Sequence, residues 1–324
     1  MAAIEFPSTD DLCSRFAFGT GRLYKRDLAN VEATIRTAYD LGIRHFDSSV
    51  GYDNAVPHAA LARLLRDVPE NDVFISTKIG HFRASFPGYR EVYRNADALW
   101  GVVHECHRML LGRIDLLQIH EADLRYWWEP DAPESGLPYL IPEVEYDFAG
   151  SAVAAVMARA KAEGVARYTG ATGNSSAPLA RAVRHLDLDT VMCAYNLDPI
   201  FRGTVDFVAP VARDRGLLLM AAGVLQGGAY RDPIDLPERL TRIAGIPERF
   251  ADFHRVQEQS GVPVVELLLR WSLSVEGVDR WVLGASHPEQ VEQMMAALRK
   301  GALPGDLQEA LDSLAIPNLD WRLE

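Results

Sequence analysis

The sequence predicts a (β/α)8 TIM barrel, a single domain with long loops after strands four and seven. Three observations carry this expectation. Eight short apolar runs alternate with longer amphipathic segments from one end of the chain to the other. The length, 324 residues, is long for an ordinary domain but normal for one closed α/β barrel. No Ser- or Gly-rich linker and no shift in composition divides the chain, so one unit is expected over 1–324.

The strand-like runs are FAFGTG (16–21), IRHFD (43–47), DVFISTK (72–78), IDLLQIH (114–120), VARYTGA (165–171), TVMCAY (190–195), LLLMAA (217–222) and RWVLGAS (280–286). Between them lie helical patterns. Leu28 to Leu41 carries apolar residues at helical spacing and stops at Gly42, a C-cap residue type. Further helices are expected at 55–65, 98–111, 153–162, 177–186, 205–213 and 263–273. The last, 288–298, opens with Pro288, whose fixed φ and missing N–H suit the first helical position. Two connections are long, 121–149 and 223–250. Loops of such length in compact domains are commonly lids or pocket walls, and Trp127, Trp128 and Tyr139 give the first an aromatic lining.

Composition narrows the function classes. Hydrophobic residues at 48% and charged residues at 24% describe a globular chain with a full core. The formal net charge of −12 argues against nucleic acid or an anionic membrane as partner. The longest apolar run, Gly216 to Leu225, is far too short to span a bilayer, and the N-terminus lacks a signal-peptide pattern. Cys13, Cys106 and Cys193 are too few for a disulfide framework and fit a reducing compartment. A cytoplasmic location is expected; the oligomeric state stays open.

The chemistry is carried by the strand ends. Strand two ends at Asp47, with Tyr52 in the following loop, FDSSVGYDNA. Strand three ends at Lys78 and strand four at His120. The carboxyl ends of barrel strands open on one face, where the active sites of such barrels lie. Each residue alone has an ordinary structural explanation: a capping carboxylate, a half-buried phenol, a solvated ammonium, a satisfied core imidazole. Four on one face form a coherent set. A neighbouring ammonium favours the phenolate, Asp47 can hold Lys78 charged, and Tyr52 and His120 can polarise a carbonyl while hydride reaches its carbon.

These motifs, FDSS-x-GY, STK-x-G and QIH, resemble the aldo-keto reductase family, and the similarity extends over nearly the whole chain. The resemblance implies Asp47, Tyr52, Lys78 and His120 as the catalytic group. Tyr52 would be general acid in reduction and general base in oxidation of an aldehyde, ketone or sugar-like substrate.

The cofactor rests on the resemblance alone, because no G-x-G-x-x-G fingerprint is present; Tyr24 stands where its last glycine would fall. The resemblance implies Gly19, Thr20 and Gly21 near the nicotinamide, and Thr172, Gly173 and Asn174 at the place of a Ser-Asn pair that grips the carboxamide. Several positions depart from the family pattern. Gly173 replaces the Asn of that pair, with Asn174 as substitute, and Met192 replaces a Gln. Ala221 replaces a stacking aromatic before Gln226 in AAGVLQGG. Gly284, Ser286, His287 and Gln290, in LGASHPEQ, resemble the adenosine-phosphate segment, where a helix N-terminus favours an anion. No Arg or Lys stands in that segment, so NADP(H) is only slightly preferred over NAD(H).

His104, Glu105 and His107 lack the spacing of the zinc-protease helix motif, and no metal is expected. Two rival functions are distinguishable. One is a Schiff-base lyase using Lys78, which needs a neutral amine. The other is a non-catalytic nucleotide-sensing subunit, which the altered cofactor positions would suit. Besides Trp127 and Trp128, Tyr24, Tyr126 and Tyr230 are expected to shape the substrate pocket.

Overall fold

The computed structural model describes residues 4–81, 89–129, 146–231, 236 and 238–320. Eight parallel strands close into a barrel in the order β1 to β8: Phe16–Gly19, His45–Asp47, Phe74–Ile79, Leu116–Ile119, Tyr168–Gly173, Thr190–Ala194, Leu218–Ala222 and Arg280–Leu283. β1 seals the barrel by pairing with β8, Ala17 opposite Val282. Every strand anticipated from the apolar runs is present, within a few residues of its expected limits. Most strand residues are buried because one face meets the barrel interior and the other the helices. That double burial is why the runs read as nearly continuous apolar stretches.

The helices among the described residues are α1 Leu28–Asp40, α2 Val56–Asp67, α3 Tyr89–Arg94, α4 Ala96–Met109, α5 Ala152–Ala162, α6 Ser176–Arg184, α7 Ala209–Arg215, α8 Glu238–Thr241, α9 Ile246–Ser260, α10 Val264–Ser272, α11 Pro288–Arg299 and α12 Gly305–Asp312. Local chemistry fixes their ends. Asp27, Asn95 and Ser151 accept hydrogen bonds from the first-turn N–H groups of α1, α4 and α5. Gly42 follows α1 with φ 105°, as its C-cap chemistry requires.

Two expectations change. The connection after β7 is shorter than 223–250, because α9 begins at Ile246; its polar face masks the apolar stripe Ile246, Phe250 and Phe253. The helix expected from 205 is a π-turn over Thr204–Val208 that leads into α7. Pro210 lacks the N–H that a continuous α-helical ladder would need there.

Phe6 plugs the lower end of the barrel. Its ring lies 5.1 Å from that of His45 and 4.5 Å from that of Phe74, and the Arg280 guanidinium covers it at 3.7 Å. Arg280 also donates to the Phe16 carbonyl at 3.0 Å. With the floor closed, the barrel is accessible from the carboxyl ends of its strands.

Candidate active site

Inward and outward positions alternate along each strand, and the site is built from the uppermost inward ones. His45 and Asp47 face in from β2, Ser76 and Lys78 from β3, and Gln118 from β4, two residues before His120, which follows that strand. Asp47 pairs with Ser76 and Lys78 with Gln118 across the parallel ladders, which brings the three strand ends to one level. Tyr52 arrives from the loop after β2. The chain then bends through three consecutive left-handed residues, Asp53, Asn54 and Ala55, with φ of 43°, 54° and 64°. Such conformations cost on the order of 1 kcal/mol each for non-glycine residues. Their cluster at this bend directs the chain from Tyr52 into α2.

Asp47, Tyr52, Lys78 and His120 all line one cavity of about 330 Å³. The Lys78 ammonium, 1% exposed, lies 2.5 Å from Asp47 Oδ2 and donates to the Ser48 carbonyl at 2.8 Å. It sits 5.1 Å from the centre of the Tyr52 ring. The rings of Tyr52 and His120 meet edge to face, 5.5 Å between centroids. Gln118, which sequence reasoning passed over, donates to the other Asp47 oxygen at 2.9 Å. Its place two residues before His120 on one strand face was the available signal.

The electrostatics set the protonation states. Burial alone would lower the Lys78 amine, but Asp47 and Tyr52 outweigh it and hold the amine above its ordinary value. Burial raises the Tyr52 phenol, against the lowering influence of the Lys78 charge and hydrogen bond. The sequence predicts a phenol lowered by the ammonium; in the structure burial exceeds that charge. Burial, followed by the Lys78 charge, lowers His120 to about 3, so its imidazole is neutral at physiological pH. Ser49 Oγ lies 3.3 Å from His120 Nδ1 and already accepts from the Gly51 N–H at 3.2 Å. With the Ser49 hydroxyl donating to Nδ1, the ring proton would sit on Nε2 as a donor. The resting set is a phenol, an ammonium, a carboxylate and a neutral imidazole. It can donate hydrogen bonds and a proton to a carbonyl oxygen. A charged, buried Lys78 is a poor amine nucleophile, which weighs against the Schiff-base alternative.

The residues expected to meet a cofactor divide into two groups. Gly19, Gly21, Thr172, Gly173, Asn174 and Gly284 line the cavity, as does Met192. Asn174 is tied down: its Nδ2 donates to Glu121 Oε1 at 2.7 Å, while Glu121 Oε2 lies 2.8 Å from His81 Nδ1. Thr20 is buried and bonded to Ser48 Oγ. Gln226 is 1% exposed and directed away from the cavity, donating to the Tyr195 carbonyl and to Asp198. Ser286 donates to the Arg22 carbonyl at 2.9 Å, and Gln290 accepts from the Ser286 N–H. His287 lies 2.9 Å from the Asn30 amide nitrogen. Those last three form an inter-loop lattice, and none of them is on the cavity wall.

Several aromatic expectations are corrected. Ala221 belongs to the outward face of β7, and the inward residue there is Ala222. The aromatic on this wall is Tyr195, whose backbone is left-handed at φ 61°. Its ring packs where a Gly223 Cβ would stand, 2.7 Å from Tyr195 Cδ1. Trp127 does not shape the pocket. It is 2% exposed, donates to the His120 carbonyl at 2.9 Å and fills the space that Gly80 leaves. Trp128 donates to the Ala122 carbonyl, Tyr126 packs by Tyr93, and Tyr230 is buried on Asp198. Tyr24, 52% exposed, lines a smaller adjoining hollow with Tyr52 and His81. Tyr139 lies outside the described residues. No helix among the described residues is long and apolar enough to cross a membrane.

A family model for the Aldo/keto reductase family matches residues 15–316. D-threo-aldose 1-dehydrogenase of Pseudomonas sp is 25% identical over 312 residues, covering 86% of each chain. NADH-specific methylglyoxal reductase of Escherichia coli (strain K12) is 24% identical, over 92% of this chain and 94% of the relative. An aldo-keto reductase structure from Bacillus halodurans superposes with a TM-score of 0.71 at 19% identity, covering 96% of this chain and 97% of that one. The fold thus agrees with the sequence match. The chain belongs to the aldo/keto reductase family and is an NAD(P)-dependent oxidoreductase that interconverts a carbonyl and an alcohol.

Proposed function

We propose that the substrate is a small aldose or hydroxylated aldehyde and that Tyr52 exchanges the proton with its oxygen. The juxtaposition of the Tyr52 phenol, the Lys78–Asp47 ion pair and neutral His120 in one cavity carries this reading. In reduction, Tyr52 donates its proton to the substrate oxygen while His120 Nε2–H holds that oxygen. In oxidation, Tyr52 accepts the proton, and the adjacent ammonium stabilises the phenolate. Asp47 and Gln118 keep Lys78 charged and in place. The sugar class is supported by the aldose activity named for one relative and by the polar rim that His81, Glu121 and Asn174 make beside His120.

A nicotinamide dinucleotide fits the cavity. Glycines 19, 21, 223, 227 and 284 leave its rim open to close approach, and it runs from the tetrad to Leu269 of α10 and Met294 of α11. The bound cofactor supplies or takes up the hydride. Tyr195 and Ala222 would flank its ring, Thr172 and Gly173 its carboxamide, and Gly284 its adenosine half. NADP(H) and NAD(H) both suit these contacts, with NADP(H) slightly preferred. A cytoplasmic location fits the three buried thiols. Fluorescence titration with NADPH and NADH, followed by a screen of aldoses, simple aldehydes and sugar alcohols, tests the reading. Hydroxylated substrates are expected to show the highest kcat/KM; turnover confined to substrates without hydroxyl groups would refute the sugar assignment.

A further inference from the structure

We infer that Arg22 clamps the pyrophosphate of the dinucleotide, a role that no motif in the chain announces and that rests on the cofactor reading above. Arg22 ends the short turn Thr20–Arg22 after β1, and its side chain lines the cavity. That side chain crosses the rim toward the loops after β7 and β8. A Cβ at Gly284 would lie 3.2 Å from Arg22 Cγ, and one at Gly227 would lie 2.9 Å from Arg22 Nη2. Gly284 is not in the left-handed region, so its bare backbone serves space rather than conformation. Two glycines therefore keep open the path that the arginine takes. The Ser286 hydroxyl anchors the Arg22 carbonyl at 2.9 Å, and the Gln290 side chain in turn accepts from the Ser286 N–H at 2.8 Å. The lattice of residues beyond β8 thus positions Arg22.

The guanidinium has no carboxylate partner among the described residues. Arg108, Arg125, Arg159 and Arg270 each have one. In a chain of net charge −12, an arginine held at the mouth of a groove without a counter-charge offers a planar set of N–H donors to an incoming anion. Its position along the cavity identifies that anion. A Cβ at the neighbouring Gly21 would lie 3.5 Å from the Tyr52 ring, so Arg22 follows directly on the tetrad, while Leu269 and Met294, an apolar pair suited to a flat base, reach the cavity from α10 and α11. From there the Arg22 side chain reaches Gly227 and Gly284, in the loops after β7 and β8 that precede those helices. The anionic group between the two ends of a dinucleotide is its pyrophosphate, common to NADPH and NADH. The cation missing from the segment after β8 is in this way delivered from the loop after β1, more than 260 residues earlier in the chain.

Equilibrium binding to the full-length protein tests the assignment. The probes are NADPH, NADH, ADP-ribose, which keeps the pyrophosphate without nicotinamide, and adenosine 2′-monophosphate, which has a 2′-phosphate and no 5′-phosphate. Arg22→Gln is expected to weaken the first three by a common factor of about 10- to 100-fold, and to leave the fourth unchanged. Arg22→Lys should recover part of the loss, since it restores the charge without the fork. Unchanged affinities would overturn the proposal. So would a loss confined to NADPH and adenosine 2′-monophosphate, which would assign Arg22 to the 2′-phosphate. A wild-type protein that binds none of the nucleotides would instead refute the cofactor reading on which the proposal rests.

Discussion

Separating the Lys78–Asp47 pair probes the site through stability, independently of any substrate. The side chains of Lys78 and Asp47 are 1% and 5% exposed, so each charge is dissolved almost entirely by its partner. In Asp47→Asn, the ammonium keeps the Ser48 carbonyl as acceptor but loses its counter-charge. In Lys78→Met, the carboxylate keeps the Gln118 amide as its donor. Removing one member of a buried pair costs about 3–5 kcal/mol. Replacing both removes the stranded charge as well. The double variant is therefore expected within about 2 kcal/mol of wild type, against roughly 8 kcal/mol if the two losses simply added. Urea unfolding of the four proteins, followed by far-UV dichroism and tryptophan fluorescence, supplies the comparison. Where an intermediate is populated, the first transition is used for all four. A double variant that loses the full sum would show that these groups do not share a buried pair, and the derivation of the protonation states would fall with it.

Other expectations follow from the same groups. Stability should fall steeply in mild acid. The folded-state pKa of His120 is about 3 and that of His58 about 4, and His45 is also lowered, each chiefly by burial. Lowered pKa values mean that the unfolded chain binds these protons first as pH drops below about 6.5. Asp198, raised by burial to about 6, opposes them with one proton. Two net protons correspond to a slope of about 3 kcal/mol per pH unit between about pH 5.5 and 4.5; a flat profile there would contradict the buried neutral histidines. Because burial raises the phenol, carbonyl reduction should stay level from pH 6 to 9 while alcohol oxidation accelerates across that range. Parallel rate profiles for the two directions would argue against Tyr52 as the shared acid and base. Trp127→Ala should destabilise the barrel by about 3–5 kcal/mol and lower kcat, because it removes both core volume and the bond to the His120 carbonyl. Normal stability with lower activity would instead place Trp127 in the pocket.

The parts of this molecule that were legible in its sequence are those written in local pattern. Eight apolar runs separated by capped helices specify a barrel, because each strand is buried on both faces and each helix on one. The tetrad was legible because Asp47, Lys78 and His120 end their strands and strand ends share a face. Gln118 was equally accessible by its period of two. What stayed hidden depends on contacts across long stretches of chain. Arg22 meets Gly227 and Gly284, and its side chain gives no local sign of direction. Gln226 lies within a cofactor-like motif, yet Asp198 and the Tyr195 carbonyl draw it inward. Trp127 and Tyr230 looked like pocket aromatics because burial against Gly80 or Asp198 leaves no mark on composition. α9 was hidden because most of its residues are polar, leaving only a narrow apolar stripe.

The central claim is that Tyr52 moves the proton that accompanies hydride transfer. Its most direct measurement is single-turnover oxidation of pre-bound NADPH by an aldose, followed by stopped-flow fluorescence in wild type and Tyr52→Phe. The account expects one equivalent of NADPH consumed by wild type. It expects nucleotide affinity to be retained in the variant while the transfer rate drops by about 10²- to 10⁴-fold, the usual worth of a positioned general acid. Transfer at the wild-type rate in Tyr52→Phe would contradict it.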